Sequence, residues 1–160
     1  MPDILFKTEE FVFSYRVAGI CVHDGRVLLQ KPANEDSFAF PGGHVAFGET
    51  NEETLKREFL EEIGAEVVVG ELSWVGEIFF QWGDKPCHQI CLFYEVFVAD
   101  GVTPQNGVWT GRESHDGGRT RMEFHWIPLD RVRNIPIYPK NAIPFLEDLQ
   151  GPIRHFIDRE

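Results

Sequence analysis

The sequence predicts an α+β or α/β sandwich, with mixed strands packed between helices. Three observations carry this expectation. Short apolar runs with strand-like character recur between turn residues, one strongly marked helix lies early, and the Pro-punctuated end has room for further short helices. The 160 residues suit one domain, taken as 1–160, and are enough to bury a core. A 42% hydrophobic and 13% aromatic content argues against disorder.

Residues 11–22 read as the first strand, with Val12, Tyr15, Val17, Ile20 and Val22 among its apolar positions. His23-Asp24-Gly25 is a hairpin turn, and residues 26–30 return as the partner strand. After a polar loop, Phe38-Ala39-Phe40 leads into Pro41-Gly42-Gly43. Residues 51–63 form the clearest helix. Thr50 followed by Glu53 is a capping-box pattern, and Gly64 stands where a left-handed C-terminal residue is wanted. Strands are expected at 66–69, 72–82, 89–98 and 122–127, with short helices around 141–149 and 152–159. Between them, residues 101–120 are polar and carry five glycines. A connection of that length is usually functional or disordered, and a mobile lid that brings Glu113 or Arg112 towards substrate is the expectation for it.

Fifteen Lys and Arg stand against 26 Asp and Glu, a formal charge of −11. Such a field repels nucleic-acid polymers, whose binding depends on phosphate neutralisation. A small phosphorylated ligand that arrives with a divalent cation remains compatible. No stretch is long and apolar enough for a membrane helix, and the N-terminus lacks the basic and apolar regions of a secretory signal. Cys21, Cys87 and Cys91 make a poor disulfide framework. Cys87, His88 and Cys91 suggest zinc at first sight, but without a second ligand pair a plain strand is the simpler reading. A cytoplasmic location is expected, and a homodimer stays open.

On a helical wheel, Leu55, Phe59 and Ile63 form one i, i+4 row with Leu60 beside it, taken as the buried face. Glu58, Glu61 and Glu62 are placed opposite. Like charges at this spacing repel by roughly 0.2–0.5 kcal/mol per pair. A hard divalent cation converts that repulsion into chelation. Alone, the acidic cluster reads more readily as a solvated face.

The residues before the helix change that balance. Gly43, Glu49, Arg57, Glu58, Glu61, Glu62 and Gly64 stand at the spacing G-x5-E-x7-R-E-U-x-E-E-x-G-U, where U is a bulky aliphatic residue. All seven fixed letters are present over residues 43–65, preceded by Pro41-Gly42. The segment resembles the Nudix box, with Phe59 and Ala65 as mild departures at the apolar positions. The preceding hairpin, the later strands and the Trp126-Ile127-Pro128-Leu129-Asp130 segment extend the likeness less specifically.

This resemblance implies a Nudix fold, a mixed sheet sandwiched between helices, and a hydrolase that cleaves a phosphoanhydride bond in a nucleoside diphosphate linked to another group. It implies Mg²⁺ or Mn²⁺ held by Glu58, Glu61 and Glu62 with the backbone carbonyl of Gly42. Arg57 and Glu49 become a supporting ion pair, and Glu58 or Glu61 a candidate base. A further acidic ligand from beyond the box would be Glu123, Glu113 or Asp116. Substrate contacts are sought at Lys31, Phe38, Phe40, Phe80 and Trp109, each weighed against a place on the surface or in the core. His88 reads better as a strand residue than as a catalyst. A non-catalytic ligand-sensing module on the same fold is the alternative, and an isopentenyl-diphosphate isomerase-like relative a weaker one. The substrate itself, among nucleoside triphosphates, nucleotide sugars, ADP-ribose and similar compounds, is not fixed by the box.

Overall fold

The computed structural model describes residues 1–99, the backbone of 108–110, and 121–160. Glu113, Asp116, Arg112 and the side chain of Trp109 lie outside the described residues, as does most of the expected lid.

Two six-stranded sheets make up the fold. The first contains β1 (Leu5–Lys7), β2 (Val12–Ile20), β6 (Gly42–His44), β7 (Val67–Trp82), β8 (Lys85–Val98) and β12 (Arg154–Arg159). Its order is β1-β2-β8-β7-β12, with β6 pairing along the far half of β2. The second contains β3 (Val22–His23), β4 (Arg26–Pro32), β5 (Phe38–Ala39), β9 (Val108–Thr110), β10 (Met122–Pro128) and β11 (Ile137–Tyr138), ordered β11-β5-β4-β10-β9 with β3 on β4. Antiparallel pairs dominate, but β2–β8, β7–β12 and β5–β11 run parallel. The one α-helix among the described residues, α1 (Asn51–Ile63), packs on β2, β6 and β7.

Side-chain alternation divides the core between two faces. Towards α1 lie Val17 of β2, Leu28 of β4, Val96 of β8 and Phe124 and Trp126 of β10, packed with Leu55 and Phe59. On the other side lie Ala18 and Ile20, Val27 and Leu29, Phe93 and Trp74, closed by Val132, Ile143 and Leu146. These last three come from 3-10 segments at Leu129–Asn134 and Lys140–Glu147. The expected sandwich is present, with α1 on one side and 3-10 helix on the other.

The expected helix bounds coincide with α1, including both caps. Thr50 and Glu53 exchange side-chain and backbone bonds at 3.2 and 2.9 Å, and Gly64 sits at φ 77°. Three expectations are corrected. Residues 152–159 are not a helix. From Arg154 they form β12, whose Phe156 and Asp158 turn inward while His155 and Ile157 face out. Phe156 lies directly across Gly76, where an added Cβ would meet its ring at 2.5 Å, so the glycine makes room for the aromatic. His155 and Arg159 hold the outer face, bonding Glu77 at 2.6 Å and capping the Phe79 ring at 4.2 Å. Second, the strands expected at 66–69 and 72–82 are one strand, β7, with irregular pairing between Val69 and Trp74. Third, residues 108–110, expected as loop, pair with β10.

Candidate active site

The burial of α1 differs from the expected face. Leu60 is 51% exposed, whereas Glu58 and Glu62 are only 4% and 8% exposed. Steps of about 100° explain this: Glu58 and Glu62 lie within about 60° of Leu55, and Leu60 about 140° away. The buried face is therefore a Leu55–Phe59 row flanked by two carboxylates. Glu61 remains largely in solvent, its side chain 58% exposed.

Gly43 makes the inward position of Glu58 possible. A Cβ built there would stand 2.3 Å from the Glu58 carboxyl carbon and 2.4 Å from its Oε1. The carboxylate thus rests against the bare backbone of β6. Gly42, one residue earlier, is pressed equally closely to β2, with its notional Cβ 2.0 Å from the Val17 carbonyl. Gly43 at the start of the box and Glu58 in its helix meet across the first of these contacts.

Arg57 gathers the remaining acids. Its Nε and Nη2 donate to the two oxygens of Glu49, each at 2.9 Å. Nη1 donates to Glu58 at 3.0 Å and to Glu61 at 3.3 Å. The bidentate fork is the strong geometry for a guanidinium and a carboxylate. Hydrogen bonds from Arg57 hold the Glu49 carboxyl down at about 2, with help from the Thr54 hydroxyl at 3.0 Å. The same bonds to Glu49 raise Arg57 further into its charged range. Glu49 thereby ties the loop before α1 to the helix.

Lys31 and Glu123 are directly opposed on β4 and β10 and bond at 3.1 Å. His125 adds a contact to the same Glu123 oxygen at 3.0 Å. His125 first, then Lys31, lowers the Glu123 pKa. The simple exposed strand position weighed for Glu123 is therefore replaced by a three-residue charge cluster. Phe40 is corrected as a substrate contact: it is fully buried, edge-on to Trp74 and Phe93 at 5.5 and 5.6 Å. Its place before the box glycines comes from packing. Cys87 and Cys91 share one face of β8 and His88 the other, its ring tilted against Phe79 at 4.4 Å. That geometry is an ordinary strand alternation.

Phe38 and Phe80 do line an open space. A cleft of about 590 Å³ is bordered by Arg16, Gln30, Phe38, Phe80, Gln89 and Tyr138, among others. Arg16 escaped the sequence reading. Its one signal is a cation in β2, which carries no other charge, two residues before Ala18 and so on the same face. Its Nη2 donates to the Phe40 carbonyl at 2.8 Å and its Nη1 lies 3.9 Å from the Cys91 sulfur. Among the described residues no carboxylate pairs with it.

Glu58, Glu61 and Glu62 offer hard oxygen donors from little more than one helical turn, against a glycine-bared strand. This donor chemistry suits a small divalent cation. Among the described residues, no three His, Cys, Asp or Glu side chains already stand at coordinating spacing.

Two mixed sheets, a helix carrying the box carboxylates and a glycine strand beneath them define a Nudix-type hydrolase. A family model for the NUDIX domain matches residues 14–149. The chain belongs to the Nudix family and is a Nudix pyrophosphohydrolase. It is 28% identical over 130 residues to the uncharacterized Nudix hydrolase YvcI of Bacillus subtilis, covering 80% of this chain and 75% of that protein. Over 59 residues it is 44% identical to the CTP pyrophosphohydrolase of Escherichia coli, covering 34% of this chain and 44% of that enzyme. A solved Nudix hydrolase from Nitrosomonas europaea shares the fold, with a TM-score of 0.60 at 17% identity over 96% of this chain and 82% of the other. Among the described residues, no helix is long and apolar enough to cross a membrane.

Proposed function

We propose that residues 1–160 form one catalytic domain that hydrolyses a phosphoanhydride bond in a small nucleoside diphosphate bearing another group, with Mg²⁺ or Mn²⁺ at the box. The observation that carries this reading is the arrangement of α1. Two carboxylates, Glu58 and Glu62, are turned inward, the first of them against Gly43, and Glu61 is joined to Glu58 through Arg57. Burying a carboxylate costs several kcal/mol unless a cation compensates it, as Arg57 does for Glu58 at 3.0 Å. Such an arrangement makes sense where cations of the protein and of the substrate complex meet.

Glu58, Glu61 and Glu62, with the Gly42 carbonyl, would hold the metal. When bound, the cation supplies charge neutralisation at the bridging phosphates and a lowered pKa for water. Glu49 and Arg57 position the ligands: the bidentate pair fixes the guanidinium, which in turn fixes Glu58 and Glu61. Glu58 and Glu61 are the two candidates to take the proton as water attacks phosphorus and the anhydride oxygen departs. Because coupled carboxylates titrate as a set, the role belongs to the cluster rather than to one member. The cleft containing Arg16 and Phe80 receives the rest of the substrate. The acidic surface suits a substrate accompanied by its cation and disfavours a polymer.

The test is phosphate or nucleotide release across nucleoside triphosphates, nucleotide sugars, ADP-ribose and dinucleoside polyphosphates, with Mg²⁺ and with Mn²⁺. Metal-dependent release from at least one class, abolished by chelation, supports the reading. Full turnover after exhaustive chelation refutes it.

A further inference from the structure

The cleft carries a charge that the box does not explain. Arg16 is half-buried, and its only hydrogen-bond partners among the described residues are a carbonyl and a thiol. None of the three acids in the cleft wall, Glu35, Asp158 and Glu160, forms an ion pair with it. Asp158 accepts from the Asn141 amide at 2.9 Å, and Glu160 from the Gln81 amide at 3.3 Å. In a chain of formal charge −11, a half-buried guanidinium without a carboxylate is out of keeping with its surroundings. The bond to the Phe40 carbonyl fixes the plane of the guanidinium and leaves donors free. A planar, oriented fork of this kind recognises oxyanions in two-pronged fashion.

Position separates this charge from the box. Along β2, Val17 faces the core under α1, while Ala18, and with it Arg16, faces the opposite side. Arg16 and Val17 pair with His44 and Gly43 of β6. The guanidinium is therefore mounted on the short ribbon against which the Glu58 carboxylate rests, but is directed to the other face. A substrate that spans both must carry an anionic group besides the diphosphate.

We propose that Arg16 binds a second oxyanion, a phosphate or carboxylate on the moiety beyond the diphosphate, so that the substrates are nucleoside-diphosphate derivatives with an acidic outer group. This rests on the proposed hydrolase function and narrows its substrate class. Phe38, Phe80 and Tyr138 supply the apolar walls, and Gln89 the polar edge, of a site for that outer moiety.

Two compound pairs test it: UDP-glucuronate with UDP-glucose, and ADP-ribose 1″-phosphate with ADP-ribose. The measurement is kcat/KM where there is turnover and calorimetric Kd where there is none. The acidic member should be favoured by about tenfold or more in at least one pair, as expected for a charged hydrogen bond. The pair that responds distinguishes carboxylate from phosphate. Arg16→Gln should reduce kcat/KM or affinity for the acidic member by about tenfold more than for the neutral one, and Arg16→Lys should retain part of the preference. Equal treatment of both members in both pairs by the native protein overturns the proposal. So does an Arg16→Gln loss that falls equally on acidic and neutral members, which marks a merely structural residue. Failure to bind or cleave any of the four compounds also overturns it. Metal-dependent cleavage of nucleoside triphosphates in that case would leave the hydrolase reading standing.

Discussion

Gly43→Ala is the sharpest perturbation of the box that leaves every charge in place. The new methyl carbon would stand 2.3 Å from the Glu58 carboxyl carbon, 2.4 Å from Oε1 and 2.8 Å from Cγ. Ordinary contact begins at 3.4 Å, so the carboxylate must retreat by about 1 Å. Glu58 has little room to do so, being 4% exposed and bonded to Arg57. Either the side chain leaves its place or α1 lifts from β6. Overpacking of this kind costs about 1–3 kcal/mol, which for a chain of this size lowers Tm by roughly 2–12 °C. A 1 Å misplacement of a working group costs on the order of a hundredfold in rate. Thermal melts and kcat/KM on the best substrate of the panel measure both effects. Gly43→Ala with native activity and native Tm would show that Glu58 is not confined against β6, and the account of the site would fail with it.

Other outcomes follow from the same geometry. Glu61→Gln should change metal-free stability by less than about 0.5 kcal/mol, as for an exposed ion pair, while calorimetry shows weakened Mg²⁺ binding; a large loss of stability without metal would make Glu61 a structural partner of Arg57. Glu49 supplies a pH dependence. Its native carboxyl is held at about 2 against an ordinary 4.5, so below 4.5 the unfolded chain takes up a proton that the native state refuses. Its stabilising contribution is complete above about 4.5 and is lost as pH falls towards 2, and urea midpoints at pH 6, 4 and 3 should fall less steeply in Arg57→Gln than in the native protein. Phe40→Ala should cost about 3–5 kcal/mol through its cavity; a variant of native stability with a raised KM would instead return Phe40 to the substrate site.

What the sequence disclosed depended on how local the determining physics was. Helix α1 is bounded by short-range chemistry, the Thr50–Glu53 exchange and the Gly64 turn, and those signals are written within a few residues of each bound. The face that α1 buries was misjudged because carboxylates are normally outward. Here Glu58 and Glu62 occupy inward positions, and Leu60 is left in solvent. Strand β12 was hidden for another reason. Its partner is β7, some eighty residues earlier, and the pairing of Phe156 with Gly76 is invisible in either segment alone. Period-two alternation from Arg154 to Arg159 was the available sign, and the neighbouring Pro152 and mixed charges obscured it. Glu49, Arg57, Glu58 and Glu61 were brought together as expected. Arg16 was missed because one cation in a strand carries no motif, and its significance rests on which neighbours leave it without a counter-charge.

The fan of bonds from Arg57 to Glu49, Glu58 and Glu61 has a consequence for how this region can change over generations. Groups that share a partner do not contribute independently, and their substitutions couple by about 0.5–3 kcal/mol. Losing Arg57 exposes three carboxylates to one another, so removing one of those acids afterwards should hurt less, or help. Losing Glu49 first leaves the guanidinium less firmly oriented, and a later change at Glu61 then acts on a different background. A double-substitution cycle over these positions should therefore show strong epistasis. Many paths away from the present four residues lead first through a poorer protein, even where the destination is serviceable. The four residues act as a block because they are bonded as one.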